Sequence, residues 1–293
     1  MSSGADYIRK EIQKTGYPLE LEIFSILDAD ENWLPTAQDY FFDEDEKKAR
    51  NIDISALEMI NTENGQYLEK EILPLKIKFD LVIECKKTKN NWGFFPIEKT
   101  YTGFSGQSLS FLLSRNDIPI TTSLWALGFG HFDISKNEIA YISCILPSNR
   151  KDEIFEASMQ IIKYISYNKA RIVERLNGIK NSEYIIHFWF PIIVLDGKMW
   201  NIYFEKRKIK NVSESHHTIL SKLYRPLKSE EAKYFTIDVV TRKYFPKLLK
   251  IINKDKHDFI DSLLQNNKRK LNNILQDFKF DARKNKLSAY SRV

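Results

Sequence analysis

The apolar positions near the start of the chain recur with helical spacing. Residues 5–14 are predicted as one helix and residues 15–29 as a second helix. Pro18 falls in the first turn of the second helix, where a proline is tolerated. The apolar positions that share one face of this second helix are Leu19, Ile23, Ile26 and Leu27. The chain is therefore expected to begin with two helices, the second of them amphipathic.

The pattern changes to alternation after the second helix. Residues 31–60 alternate between apolar and polar positions around the charged cluster at 43–48, which predicts a β-hairpin. The Asn64-Gly65 pair is a turn signal, and residues 75–87 alternate again. Residues 88–95 are predicted to end that strand. This part of the chain is expected to form antiparallel strands.

The remaining segments mix helices and strands. They are a short helix at 105–115, a strand at 138–146, a long amphipathic helix at 152–176, two strands at 183–197 and 198–209 joined by an Asp196-Gly197 turn, and a strand entering a helix at 234–252. Residues beyond these are polar and helical in pattern, and there is no internal repeat or flexible linker. The simplest account is one mixed α/β domain over residues 1–250 with a lysine-rich helical extension over 251–293.

Composition restricts the class of protein. An apolar content of 43% in 293 residues is enough for a sizeable core. The two cysteines, Cys85 and Cys144, are too few for a disulfide framework and favour a reducing, cytoplasmic location. The longest apolar run is about 11 residues, short of the roughly 20 that a membrane helix needs, so no membrane span is expected.

Positive charge is concentrated towards the end of the chain. Residues 241–293 contain 14 Lys and Arg against 5 Asp and Glu, whereas the whole chain has a net charge of +6. Lysines clustered on a helix could follow a phosphate backbone. A solvated lysine-rich helix is the equally weighted alternative.

Three charged residues stand out in the alternating strands. Glu84 and Lys86 share one face of their strand, because the apolar residues between and before them share the other. Asp53 lies near the beginning of the preceding strand, on the side opposite Ile52, Ile54 and Ala56. If the two strands pair antiparallel, Asp53, Glu84 and Lys86 meet at one end of the hairpin.

Such a cluster is costly without a cation. Two carboxylates a few ångströms apart repel each other unless a cation lies between them or one takes a proton. Hard oxygen ligands suit Mg²⁺ or Mn²⁺, with Asp53, Glu84 and the Cys85 carbonyl as ligands. Lys86 would then orient a water molecule and offset charge on a phosphate, which indicates phosphodiester hydrolysis. A solvated strand face is the alternative interpretation of the same spacing.

The flanks of these residues resemble the PD-(D/E)xK, restriction-endonuclease-like superfamily, in particular its small prokaryotic members. The resemblance rests on three blocks at 16–27, 43–56 and 80–95, with a later strand pair at 190–204, and covers about residues 10–250. One departure is Ile52, which stands where the motif has proline before the aspartate.

The resemblance implies a mixed central β-sheet flanked by helices, in the restriction-endonuclease-like fold. It also implies a Mg²⁺-dependent deoxyribonuclease, an endonuclease with a role in prokaryotic defence. Glu20 fits the family's helical acidic residue, which reaches the metal site from the side. Asp53, Glu84, Lys86 and Glu20 are thus the predicted catalytic residues.

Nearby cations are candidates for phosphate contacts. Arg50, Lys87 and Lys89 flank the predicted site and are predicted to bind nucleic acid. DNA is the expected partner, together with a second copy of the chain or another protein. A nucleic-acid-binding or partner-dependent subunit of a defence complex, without independent catalysis, is the alternative function.

Overall fold

The structure is a computed structural model, which describes residues 4–61, 75–97, 110–113, 138–147, 152–177, 184–226 and 233–265. The helices are α1 (Gly4–Lys14), α2 (Tyr17–Asp28), α3 (Glu153–Asn177) and α4 (Phe245–Gln265). The strands are β1 (Leu34–Asp43), β2 (Lys48–Asn61), β3 (Leu75–Ile97), β4 (Ser110–Leu113), β5 (Ile139–Leu146), β6 (Tyr184–Glu205), β7 (Lys208–Ser215), β8 (His217–Tyr224) and β9 (Lys233–Thr241).

The strands form one large mixed sheet. Its order is β1-β2-β3-β5-β8-β9-β6-β4, with β7 paired to β6 and a further pairing between β3 and β6. β3 is antiparallel to β2 and β5 but parallel to β6, and β6 is parallel to β9. The prediction of a mixed sheet flanked by helices is confirmed at this level.

Two apolar cores cover the two faces of the sheet. The first, called the α2 side, receives α2 and α4 and includes Ile83 and Cys85 of β3. The second, called the α3 side, receives α3 and includes Val82 and Trp92 of β3. β3 is a central strand, so successive side chains are buried on opposite faces of the sheet. The amphipathic pattern predicted for α3 is confirmed, since Ile154, Ile161, Ile162 and Ile165 are fully buried.

The helices predicted at both ends of the domain are also confirmed. The buried residues of α2 are Leu19, Ile23 and Leu27, while Ile26 is partly buried against the same core. α4 contributes apolar side chains as far along as Phe259, which is fully buried. The predicted domain boundary at residue 250 therefore falls inside a helix that packs in the core. Residues 266–293 and the Asn64-Gly65 turn lie outside the described residues.

Two predicted strand ends are wrong. β3 continues through residues 88–95, because residues 91–94 pair with both β5 and β6. β6 likewise runs through Asp196 and Gly197 without turning, and an irregularity in its pairing with β3 absorbs this polar segment. The turn lies instead at Lys206 and Arg207, which both have positive φ. Long-range pairing therefore overrides local turn signals at these positions.

The short helix predicted at 105–115 is also wrong where the structure describes it. Residues 110–113 form β4, which pairs antiparallel with residues 186–189 of β6. An apolar run of this length suits a strand as well as a helix. Among the described helices, none is both long and apolar enough to cross a membrane.

Candidate functional site

The site lies where β2 and β3 separate. Their antiparallel ladder ends at the pair Ile54–Ile83, so Asp53 and Glu84 are the next residues along each strand. Beyond that pair, a side chain joins the two strands: Asp53 Oδ2 accepts a hydrogen bond from the Cys85 backbone N–H at 2.8 Å. The Asp53 backbone also acts to lower the pKa of Glu84. The structure thus brings Asp53 and Glu84 side by side.

The alternation of β2 changes at the same point. Ile54 is buried on the α2 side and Ile52 on the α3 side, although strict alternation would put both on one face. The regular β1–β2 pairs also skip Asp53, and the residue that would face it, Gln38, has a φ of 51°. The prediction that Ile52 and Ile54 share a face is therefore wrong. This local irregularity frees Asp53 to reach across to β3.

Glu84 is the most deeply buried acid of the site. Its side chain is fully buried, and Lys86 Nζ donates to its Oε2 at 2.7 Å. Within the described part of the chain, its Oε1 is buried and has no hydrogen-bond partner. Burial, reinforced by the negative charge of Asp53, raises the pKa of Glu84 to about 8. One oxygen of this carboxylate therefore lacks the compensation that a buried charge requires.

Asp53 and Lys86 complete the cluster. Burial raises the pKa of Asp53, although Lys86 and the Cys85 N–H act in the opposite direction. Burial alone would lower the pKa of Lys86, but the Glu84 and Asp53 carboxylates outweigh it and the pKa is raised. Lys86 is therefore a fixed cation. It can donate hydrogen bonds and offset negative charge, but it is not suited to accept a proton.

Glu20 approaches from α2. It is partly buried, and its pKa is raised first by burial and then by the charge of Asp53, while Lys86 lowers it. Its carboxylate lies beside Gly16, where an added Cβ would be 3.3 Å from Glu20 Oε1. The absence of a side chain at residue 16 therefore leaves room for the acid. Glu20 stands close enough to Asp53 for the two carboxylates to repel each other.

The three predicted phosphate-binding cations have different surroundings. Arg50 binds Asp43 at 2.8 Å and Glu46 at 2.5 Å, so its guanidinium is engaged within the β1–β2 hairpin. The Lys87 ammonium donates to the backbone carbonyl of Gln13 in α1. Lys89 is exposed on β3. Within the described ranges, none of these three cations contacts the acids of the site.

The residues present fit a hard divalent cation in part. Asp53 and Glu84 supply two adjacent carboxylates with raised pKa values. A bound cation would favour their charged forms, and it would give Glu84 Oε1 the partner that it lacks among the described residues. The Cys85 thiol is buried on the α2 side, which leaves only its backbone carbonyl as a donor. In the described ranges, no group of three or more His, Cys, Asp or Glu side chains is arranged to hold a metal. The fit is thus to an ion that uses one or two carboxylates and keeps several waters, as Mg²⁺ does.

A second polar cluster, on the α3 side, was not predicted. Tyr164 donates to Asp39 Oδ2 at 2.5 Å, and His187 Nε2 lies 3.7 Å from Asp80 Oδ2. The His187 ring stacks on Trp189 with 3.8 Å between centroids. Burial holds the pKa of His187 well below, and that of Asp80 well above, its ordinary value. The signal in the sequence was that Asp80 and His187 each interrupt an otherwise apolar strand.

Comparison with protein-family models gave no match, and comparison with curated proteins and with solved structures gave no significant match either. The arrangement of the residues themselves is therefore the basis for assigning a function.

Proposed function

We propose that this protein is a metal-dependent nuclease that hydrolyses phosphodiester bonds, with DNA as its substrate. The observation that carries the proposal is the fully buried Glu84 carboxylate, which lies beside Asp53 and is bound by Lys86. Among the residues that the structure describes, one of its oxygens has no partner. A structural ion pair would be expected to have all its polar atoms satisfied. A catalytic cluster keeps acceptor atoms available for a cation and substrate.

Each residue has a distinct role in this proposal. Asp53 and Glu84 hold Mg²⁺ or Mn²⁺, with the Cys85 carbonyl as a further donor. When bound, the cation supplies Lewis-acid polarisation of a phosphoryl oxygen and lowers the pKa of a water molecule. Lys86, held as a cation by Glu84, donates to the attacking water or to the scissile phosphate. Glu20 adds negative charge at the side of the site and positions water.

A restriction-endonuclease-like arrangement is proposed for the fold at the finer level. Three features support it: the antiparallel β2–β3 pair that carries Asp53 and Glu84, the parallel β6 beside β3, and the acidic α2 over one face. The sequence resemblance, and not a structural match, supplies the family.

The experiment is a cleavage assay with the full chain. Supercoiled plasmid, linear duplex and single-stranded DNA are incubated with Mg²⁺, Mn²⁺ or EDTA. Cleavage is expected with either metal and none with EDTA, and Asp53→Asn should remove it. Glu22→Gln is the matched control, because Glu22 also lies on α2 but its carboxylate binds Arg242. Cleavage that persists at full rate in Asp53→Asn would contradict the assignment.

A non-catalytic nucleic-acid binder is the second candidate. It is favoured by the observation that no group of three metal-holding side chains occurs in the described part of the chain. Such a protein would bind DNA equally well with and without Asp53 and would cleave none of the substrates. DNA binding without cleavage in any metal, unchanged by Asp53→Asn, would select this candidate.

A further inference from the structure

The hairpin between β6 and β7 has a basic, fully exposed tip. Every residue from 204 to 212 is exposed, on both strands and on both faces. We call residues 204–211 the basic ribbon, because they form two paired strands with solvent on each side. A strand that contributed to a core would bury alternate residues. The basic ribbon therefore extends beyond the body of the sheet.

The turn of the basic ribbon has an unusual sequence for its conformation. Glu205 pairs with Lys208, so Lys206 and Arg207 form a two-residue loop with φ values of 49° and 67°. Two positive φ values define a type I′ turn, in which Asn-Gly is the favoured sequence. A side chain in this left-handed region costs roughly 1–2 kcal/mol for each residue. The chain thus places two long cations where the backbone alone favours small residues.

The charges at this turn are available to a partner. Lys206, Arg207 and Lys208 form no ion pair with any residue that the structure describes. Only Lys210 is paired, with Glu205 at 2.9 Å, and that pair is exposed. Surface pairs of this kind contribute little. The tip therefore presents three uncompensated positive charges.

The β1–β2 hairpin provides a contrast within the same molecule. Its tip also contains a lysine with positive φ, Lys47, at 53°. That ammonium lies 2.8 Å from Glu44, and Lys48 lies 2.7 Å from Glu46. Both hairpin tips contain lysine at positive φ, but the lysines of the β1–β2 tip are paired with glutamates. Of these two tips, the basic ribbon is the one whose positive charge can attract an anionic partner.

The basic ribbon is held firmly at its base and within reach of the site. The rings of Phe204 and Phe95 have their centroids 5.6 Å apart, and the Tyr203 hydroxyl donates to the Glu138 carboxylate at 2.7 Å. In the pairing of β3 with β6, Leu195 of β6 lies opposite Lys86 of β3. From there the turn is at most roughly 36 Å away along β6, at about 3.3 Å for each residue. This is about one turn of B-form DNA, so one duplex can reach both.

We propose that the basic ribbon enters the major groove of duplex DNA and contacts its phosphates. In taking DNA as the partner, this rests on the proposed function. The major groove is wide enough for a two-stranded β-ribbon, and Lys and Arg side chains at its tip reach phosphates on both walls. The ribbon binds the substrate about one helical turn from the bond that is cut.

The test is DNA binding by the full chain in EDTA, so that no cleavage occurs. The variant Lys206→Asn/Arg207→Gly/Lys208→Gln removes three charges and gives the turn its favoured sequence, so the hairpin is retained. Lys47→Asn is the matched control at the other hairpin. Affinity for a 30-base-pair duplex should fall by at least ~10-fold, and the slope of log K against log salt should decrease by up to about 2.7. The control should bind as the unaltered protein does.

The outcomes separate this proposal from the proposed function. Unchanged affinity and salt slope in the triple variant overturn the ribbon's role, even if the unaltered protein cleaves DNA. If the triple variant binds DNA more weakly but the unaltered protein cleaves none of the substrates in the cleavage assay, the ribbon's role is supported and the nuclease assignment is overturned. An equal loss on single-stranded DNA contradicts groove entry. A loss confined to anionic lipid vesicles would make the ribbon a membrane contact and overturn the proposal.

Discussion

Replacing Glu84 by glutamine should change how the stability of the protein depends on pH. Burial and the charge of Asp53 raise the pKa of Glu84 from 4.5 to about 8. Between these two pH values the folded protein holds a proton that the unfolded chain has released. The free energy of unfolding therefore decreases as pH rises through this window. Glu84→Gln keeps an acceptor for Lys86 but has no proton to lose.

The size of the effect follows from the two pKa values. Between pH 5.5 and 7.5, a single group with these values reduces the free energy of unfolding by roughly 2–3 kcal/mol. The measurement is urea unfolding, followed by tryptophan fluorescence, in EDTA at the two pH values. The unaltered protein should lose about that much more stability than Glu84→Gln over this interval. Glu22→Gln, which removes an acid of α2 that binds Arg242, is the control and should behave as the unaltered protein.

A divalent cation gives the same experiment a second arm. A cation bound between the carboxylates favours their charged forms, so millimolar Mg²⁺ should reduce the decline with pH in the unaltered protein. It should have little effect on Glu84→Gln. If the unaltered protein and Glu84→Gln lose stability in parallel between pH 5.5 and 7.5, Glu84 does not titrate in that window and the electrostatic account of the site is wrong.

Three other predictions concern packing, charge and the end of the chain. Gly93→Ala should lower the free energy of unfolding by about 1–3 kcal/mol, because its Cβ would lie 2.8 Å from Cys144 Sγ; urea unfolding measures this, and no change would contradict the packing. Lys163→Met should cost about 1–3 kcal/mol at pH 7, because it removes a 2.8 Å partner of buried Asp43; Lys163→Arg should recover most of it. Removing residues 266–293, which leaves α4 intact, should weaken DNA binding and flatten its salt dependence, and unchanged binding would exclude the tail. Cooperative urea unfolding is the check that the truncated protein is folded.

Local patterns predicted α1, α2 and α3, several of the strands, and the meeting of the charged residues. The alternation in β3 put Glu84 and Lys86 on one face, and antiparallel pairing with β2 brought Asp53 beside them. Both inferences depend on the two-residue period of a strand, which sequence shows directly. The burial of Glu84 could not be predicted from that period. It depends on β6, which pairs with β3 from more than a hundred positions later.

The features that sequence did not predict all depend on distant pairings. Asp196 and Gly197 have the composition of a turn, yet β6 continues because β3 lies beside it. The actual turn at Lys206 and Arg207 has no turn-forming residue at all. Asp80 and His187 come together only because β3 and β6 are parallel neighbours. Local propensity has little weight where a strand has partners on both sides.

The rate of Mg²⁺-dependent plasmid cleavage by Lys86→Met is the most direct test of the nuclease assignment. Lys86 donates to Glu84 within the site, and methionine keeps the length of the side chain while removing its charge. Lys198→Met is the control, because Lys198 is an exposed lysine on the neighbouring strand. Lys86→Met should cleave at least ~10²-fold more slowly than the unaltered protein, by analogy with the loss of other positioned electrostatic groups, and should bind DNA as tightly. Cleavage by Lys86→Met at the rate of Lys198→Met would contradict the assignment of this cluster as a catalytic site.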